Sequence, residues 1–509
     1  MKTSSTAAKD NLITSPLHEC EPKPSTPPLW RSSRLRICLL LSIGFACSYA
    51  QQVALSVSLV FMVQPLGAHN ESRAVDNGTR LWPEQDARLD WSREVQGWVM
   101  GAFYWGYTVG QVPASMSVTH FGAHRTLLCW QLAAIALGFS LPGVIRLGPA
   151  TFALVRALCG FLLSSVQLAS VDVAARWGPA QERTLLIGLL GSGSSMGMLL
   201  TFVAGAPLCI VAGWPALFYT IGALHLLWCI TWYLIGSDSP QTDRLVSDKE
   251  KEFVTRAAPF ASQRRQQRSV PWGRVLCSGS VFAAVVASVA VDFHSYLLSS
   301  FLPTYLSEVL LVDDHWLGAL SAMPFAAFAV GAVACGALAD AVRRVYANHN
   351  LFRRLQTGLS LLGGAGLLLL ASACSAGVAL ALVGASQFVS SASAIPAFAV
   401  EFAPAHAAVV IALSNVLGNS CGVLSALAVG QLTGEGTSAG WQRVFQLNCV
   451  VSSLAAAAFF ILGDNSIKSW AIPPPMPPTT ADPLHDDRSE ERDDKKGCEE
   501  QISKENAIL

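Results

Sequence analysis

The chain has 509 residues, of which 52% are apolar and 13% charged, and its formal net charge is zero. Soluble domains carry about 25% charge, and a mean hydropathy of +0.43 at this length is more apolar surface than a water-soluble fold can hide. These values exclude an ordinary soluble protein, and the balanced charge gives bulk electrostatics no polyanion such as nucleic acid to attract.

Residues 1–34 are polar and rich in Pro and Ser, which predicts a disordered tail. The first apolar stretch is longer than the roughly 7–15 residues of a signal-peptide core, so it reads as a retained membrane helix. A membrane crossing takes about 20 mostly apolar residues. Twelve such stretches are predicted, at 37–63, 96–117, 126–145, 149–171, 185–210, 214–235, 277–301, 317–339, 355–375, 377–400, 407–431 and 441–463. A polar segment at 236–274 divides them six and six, and it reads as a cytosolic linker. Two six-helix bundles follow, at 35–235 and 275–463, with a disordered tail at 464–509 that opens on a Pro run, Pro473–Pro478. The expected fold class is an all-α membrane protein.

Lys and Arg set the orientation. Arg31, Arg34 and Arg36 precede the first helix. Even-numbered connections hold Arg125, then Arg176 and Arg183, then the run from Arg244 to Arg274, then Arg343, Arg344, Arg353 and Arg354. Odd-numbered connections after the first are nearly empty of basic residues, so both termini are expected in the cytosol. The first external loop, 64–95, carries the sequons Asn70-Glu71-Ser72 and Asn77-Gly78-Thr79. Asn70 and Asn77 are therefore expected glycosylation sites on the face that charge makes external. Of the 13 cysteines, eleven fall inside predicted spans and read as small packing residues, while Cys20 and Cys498 lie in the tails. No CxxC pair or external cysteine pair suggests a disulfide or metal framework.

Several motifs carry a resemblance. The second helix reads Gly101-Ala102-Phe103-Tyr104-Trp105-Gly106-Tyr107-Thr108-Val109-Gly110-Gln111-Val112-Pro113. Further on come Trp177-Gly178-Pro179 with Glu182-Arg183, Gly213-Trp214-Pro215, Leu302-Pro303-Thr304-Tyr305 and Glu401-Phe402-Ala403-Pro404. Over about 35–463 this pattern resembles solute carrier family 17, which holds sialin, vesicular glutamate and nucleotide transporters, and sodium–phosphate cotransporters. The stretch from Gly336 to Arg344 resembles the cytosolic loop motif of the wider major facilitator superfamily. A degenerate first copy lies at Ser115–Arg125, with Thr119 in place of the Asp. The resemblance implies the major facilitator fold, with twelve transmembrane helices in two six-helix halves and helices 1, 4, 7 and 10 around a central cavity.

An ionisable side chain at that depth costs about 2.5–3.5 kcal/mol to insert and is a functional candidate by default. Arg156 lies in the fourth predicted helix, and its planar fork suits a carboxylate or phosphate. The competing reading is a structural ion pair. Asp292, Tyr296 and Ser299 fall on one face of the seventh helix, where Asp292 suits coupling to a proton or cation, or a pair with Arg156 across the cavity. His294 points elsewhere around the same helix and is a second coupling candidate, with a packing role as its alternative. Gln52 and Tyr296 are expected to orient a substrate. Glu401, Asp340 and Arg344 are expected in cytosolic gating. Gln387, Ser390 and Ser391 read equally as ligand hydrogen bonders or helix-packing residues. Gly191-Ser192-Gly193-Ser194-Ser195-Met196-Gly197 reads as small-residue helix packing, since no Lys follows for a phosphate loop.

The chain departs from the resembled family. Anion-transporting members carry an arginine where Gln52 stands and an asparagine at Ala54. Vesicular glutamate transporters have a histidine at Met100, a glutamate at Leu163 and an arginine near Val291. The expected function is secondary active transport of a small organic or inorganic anion by alternating access, coupled to H+, Na+ or membrane potential. The substrate is expected to be singly charged or zwitterionic, and the protein monomeric, without cofactor or resident metal. The alternatives are a cationic or neutral substrate anchored by Asp292, and a non-transporting sensor on the same fold. No nucleophile–base or metal constellation suggests an enzyme. The membrane is expected to be the plasma membrane or a lysosomal or vesicular one.

Overall fold

The computed structural model describes residues 32–63, 89–178, 183–257, 270–345, 348–404, 406–434 and 436–471. In the first part of the chain, span 1 is Ser33–Met62, span 2 Arg93–Phe121, span 3 Ala123–Val144, span 5 Arg183–Ala212 and span 6 Trp214–Ile235. Span 4 runs Pro149–Leu163 and resumes as Ser165–Trp177. In the second part, span 7 is Gly279–Glu308, span 8 Asp314–Val345, span 9 His349–Ala371, span 11 Ala407–Leu432 and span 12 Ser438–Leu462. Span 10 is split into Ala376–Ser390 and Ile395–Phe402. Eleven of these spans are long and apolar enough to cross a membrane. Arg93–Phe121 is the twelfth, 29 residues long, and its Gln, Tyr, Trp and Gly content makes it the less apolar exception.

Helices dominate because lipid leaves no other partner for backbone N–H and C=O groups. Their ends extend beyond the apolar stretches where polar residues cap them. Ser32 accepts from the Leu35 N–H at 3.2 Å and Asn348 from that of Leu351 at 3.1 Å. Gly122 alone joins spans 2 and 3, and Gly213 alone joins spans 5 and 6, at φ of +84° and +79°. Those left-handed conformations favour glycine and allow one-residue turns.

Three expectations are corrected. Spans 4 and 10, expected as continuous, are interrupted, at Ser164 and at residues 391–394. The segment 236–274 is not merely a polar linker: it holds a helix, Asp248–Ala257, and a short turn of helix, Trp272–Leu276. Several helix ends lie up to seven residues beyond the apolar limits, as at Glu308 after a predicted end at 301. Asn70 and Asn77 lie outside the described residues, as do the side chains of Asp340 and Arg344 in span 8.

Packing repeats from one half to the other. In the first half span 1 packs on 5 and 6, span 2 on 4, and span 3 on 4 and 6. In the second, span 7 packs on 11 and 12, span 8 on 10, and span 9 on 10 and 12. The halves meet where span 2 packs on 11, span 5 on 8 and span 1 on 7. Small residues make the close approaches. A Cβ on Gly106 would lie 1.7 Å from the Ala157 carbonyl oxygen, and one on Gly160 2.0 Å from that of Phe103. Gly193 and Gly197 likewise press span 5 onto Ser42 and Ala46 of span 1, which is the packing expected of that small-residue run.

The two ends of the bundle differ. We term the end bearing Ser33 and Leu462 the near face, and the end bearing Met62, Arg93 and Glu308 the far face. At the far face one hydrophobic core takes in both halves, from Val53 and Phe202 to Phe301, Phe325 and Trp441. At the near face two separate cores form. One holds Ile37, Val118, Val173 and Trp232, the other Val281, Ile395, Phe398 and Phe459. Among the described residues, hydrogen bonds between halves join only Ser56 and Tyr104 to residue 300 and Arg93 to Glu308, all at mid-depth or the far face. The halves are therefore closed together at the far face and parted at the near face.

Gly106→Leu should force spans 2 and 4 apart and cost more than the ~1–3 kcal/mol of ordinary overpacking, while Gly358→Ala, with nothing within 4 Å of its new Cβ, should be silent. Size-exclusion yield after heating in detergent separates the two.

Candidate functional site

At mid-depth a polar chain crosses from one half to the other. Arg156 of span 4 donates to the carbonyl oxygens of Gln51 and Gln52 in span 1, each at 3.2 Å. The Gln52 side-chain amide donates to the Tyr104 hydroxyl of span 2 at 3.2 Å. That hydroxyl lies 3.0 Å from Ser300 Oγ in span 7, whose carbonyl accepts from Ser56 at 2.7 Å. The chain lies at mid-depth, between the shared far-face core and the two separate near-face cores, and we term it the roof of the near-face side.

Arg156 is 2% exposed. Its guanidinium lies 4.9 Å from the Phe103 ring centroid, a cation–π contact. Among the described residues its Nε has no partner, and a small void bordered by Gln51, Phe103, Cys159 and Phe218 lies beside it. Among the described residues no carboxylate pairs with it, so the charge is held by carbonyl dipoles and an aromatic face alone. The anticipated pair with Asp292 is not formed.

Asp292 stands near the middle of span 7, partly exposed, with no hydrogen bond or ion pair among the described residues. Its carboxylate presses on span 11, where a Cβ added to Gly418 would lie 1.8 Å from Oδ2. One turn on, the Tyr296 hydroxyl donates to Asn419 Oδ1 at 2.5 Å, and its ring lies 4.7 Å from that of Tyr104. Tyr49 is within electrostatic reach of Asp292. The structure thus brings Gln52, Arg156 and Tyr296 together around Tyr104. His294 is turned away: it is buried, with Nδ1 3.1 Å from Asn448 of span 12. Gln387 is buried and Ser390 lies against Ser360 and Gly364 of span 9, a packing environment. Among the described residues no group of three metal-ligating side chains occurs.

Charged contacts cluster at both faces. At the near face Glu401 takes a forked pair from Arg353, with Nη2 at 2.6 Å and Nε at 3.1 Å, and accepts from Asn465. Glu250 of the linker helix accepts from the backbone N–H of Ser33 and Arg34 and from Arg34 Nε, at 3.0, 3.1 and 3.1 Å. Phe253 covers the same guanidinium at 5.0 Å. The linker thereby clamps the start of span 1. At the far face Arg93 of span 2 pairs with Glu308 of span 7 and so ties the halves together.

Sequence reasoning missed Tyr104, Ser300, Asn419, Arg93, Glu308 and Glu250. Tyr104 stood in the quoted span 2 motif and was readable there as a candidate. The others depend on pairings more than 100 residues apart, which leave no local trace. Glu250→Ala should remove the carboxylate that accepts from the backbone of Ser33 and Arg34 and from the Arg34 side chain and cost about 1.5–3 kcal/mol, the worth of a hydrogen bond to a charged group. It reads as a fall in Tm in detergent, which Arg34→Met in the same chain should partly restore.

Comparisons with known proteins agree with this geometry. The model of the Major Facilitator Superfamily matches residues 41–427. Human sialin is 27% identical, with 90% of this chain and 94% of sialin covered. Vesicular glutamate transporter 1 of Xenopus tropicalis is 27% identical, with 86% of this chain and 76% of that protein covered. Among solved structures, a bacterial homolog of the human lysosomal transporter Spinster, inward-facing and occupied, aligns with a TM-score of 0.63 at 14% identity. That alignment covers 88% of this chain and 100% of the homolog. A D-xylose–proton symporter aligns at 0.60 and 13%, over 85% and 98%. These likenesses are to transporters rather than enzymes. A twelve-span bundle of two repeated halves, closed at one face and parted at the other, with this family match, identifies the chain as a multi-pass membrane transport protein belonging to the Major Facilitator Superfamily.

Proposed function

We propose that the protein is a secondary active transporter of a small organic anion, of the solute carrier family 17 type, working by alternating access and driven by an ion gradient or the membrane potential. The observation that carries this reading is Arg156: a cation buried at mid-depth that no carboxylate neutralises among the described residues. Carbonyl dipoles and the Phe103 face hold it in place without cancelling its charge. The first half therefore presents an attractive field to an anion arriving beneath the Gln52–Tyr104–Ser300 roof. The likeness to sialin and a vesicular glutamate transporter supports an anionic substrate.

In this reading the near face is cytosolic, as the Lys and Arg distribution requires, and the conformation faces inward. The far face, with Asn70 and Asn77, then lies outside the cell or in the lumen of a vesicle or lysosome. Switching parts the far-face core and the Arg93–Glu308 pair while the near-face cores close. Glu401 with Arg353 sets the charge at the cytosolic end of the second half.

Purified protein in liposomes should take up sialate, glutamate or a similar carboxylate under an imposed proton, sodium or voltage gradient. Arg156→Ala should lower uptake at least about tenfold, equal to 1.4 kcal/mol. Arg156→Lys should keep a part, since charge remains and the fork is lost. Uptake confined to cations, with Arg156→Ala harmless, would reject the proposal. For orientation, glycosidase treatment of protein from mammalian cells should sharpen its gel mobility, and Asn70→Gln with Asn77→Gln should abolish the shift. A shift that survives the double substitution contradicts a far-side loop carrying both glycans.

A further inference from the structure

The second half holds a carboxylate that the anion reading gives no part in binding the substrate. Asp292 lies at mid-span, where an ionised side chain costs about 2.5–3.5 kcal/mol, yet among the described residues no cation offsets it. Its surroundings are specific. Gly418 leaves the room that its Oδ2 occupies. Tyr296, the nearest phenol on its own helix face, commits its hydroxyl proton to Asn419 rather than to Asp292. The carboxylate is thus left as an open acceptor. Tyr296 lies one turn along from it with its ring 4.7 Å from that of Tyr104, which packs on Gly422 one turn beyond Gly418, and aromatic faces attract cations through their negative quadrupole. Unlike Arg156, Asp292 is only partly buried.

We propose that Asp292, Gly418 and the tyrosines at 104 and 296 form a receptor for a protonated amine, so that the substrate is a zwitterion whose ammonium group is held by the second half while its carboxylate is drawn to the Arg156 side of the first. The proposal rests on the anion reading for the carboxylate half and adds the ammonium half. An organic ammonium suits the site better than a bare metal ion. Six or more oxygens would be needed for calcium, whereas the nearby Tyr296 and Tyr104 hydroxyls are already hydrogen-bonded, to Asn419 and to Gln52 and Ser300. A ligand with one charge on each half also gives the halves a reason to close upon it, because either charge alone engages only one of them.

Three probes with one aromatic body separate the terms: phenylalanine, 2-phenylethylamine and 3-phenylpropionate. Their Kd values are read by tryptophan fluorescence on the full chain in detergent. Wild type should bind phenylalanine at least about tenfold more tightly than either single-charge probe. Asp292→Asn should weaken phenylalanine and 2-phenylethylamine about tenfold or more, which is about 1.4 kcal/mol, and leave 3-phenylpropionate unchanged. That unchanged binding also shows that the variant is folded. Gly418→Ala should reproduce the amine loss by displacing the carboxylate. If wild type binds neither amine, or Asp292→Asn binds 2-phenylethylamine as wild type does, the ammonium receptor is overturned, and the anion reading stands if 3-phenylpropionate still depends on Arg156. If 3-phenylpropionate ignores Arg156→Ala while amine binding still depends on Asp292, the anion reading fails and the receptor stands.

Discussion

Lipid offers helices no hydrophobic reward for meeting, because the tails are as apolar as the side chains they would displace. Association must come from close van der Waals contact and from hydrogen bonds between spans. The architecture follows from that constraint. Gly106 and Gly160 let the backbones of spans 2 and 4 touch, and Gly193 and Gly197 do the same for spans 5 and 1. Gly97 brings span 2 against Ala426 and Gly430 of span 11 across the boundary between halves. The first four glycines hold spans of the N-terminal half together, and the last two bring the two halves into contact.

Against this dry background the polar groups at mid-depth stand out by what they join. The chain from Arg156 through Gln52 and Tyr104 to Ser300 draws on four different spans and both halves. Each link is a neutral hydroxyl, amide or carbonyl, except the guanidinium at its end. A neutral roof is well suited to a moving boundary, since its bonds break and re-form without separating opposite charges in a low dielectric. The charges themselves are kept to either side, Arg156 in the first half and Asp292 in the second.

Much of the fold was legible in the chain. Twelve apolar stretches, one polar divider and two copies of a loop motif were enough for the architecture, because membrane thickness writes itself into sequence as length. Arg156 and Asp292 were legible because charge inside an apolar run is conspicuous. The interruptions in spans 4 and 10 were not, since Ser164 and Ser391–Ala394 sit inside continuous apolar patterns that hydropathy cannot divide. The helix Asp248–Ala257 was hidden by the opposite fault: it is strongly charged, and a polar segment reads as a loop until Glu250 is seen on Arg34. The partners of Arg156 were invisible in principle. They are main-chain carbonyls, which every residue possesses.

The far-face pair between Arg93 and Glu308 is a seal with a built-in leak of energy. Among the described residues neither Arg93 Nε nor Glu308 Oε2 has a hydrogen-bond partner there. A buried polar atom without a partner costs about 1–3 kcal/mol, so such a pair holds a face less firmly than one whose every atom is bonded. Solvent that reached both atoms on opening would offset part of the cost of breaking the ion pair and the core around it. The contact that joins the two halves at this face is thus also one whose loss is partly compensated by solvent, which sets it apart from the fully bonded Arg353–Glu401 fork within the second half.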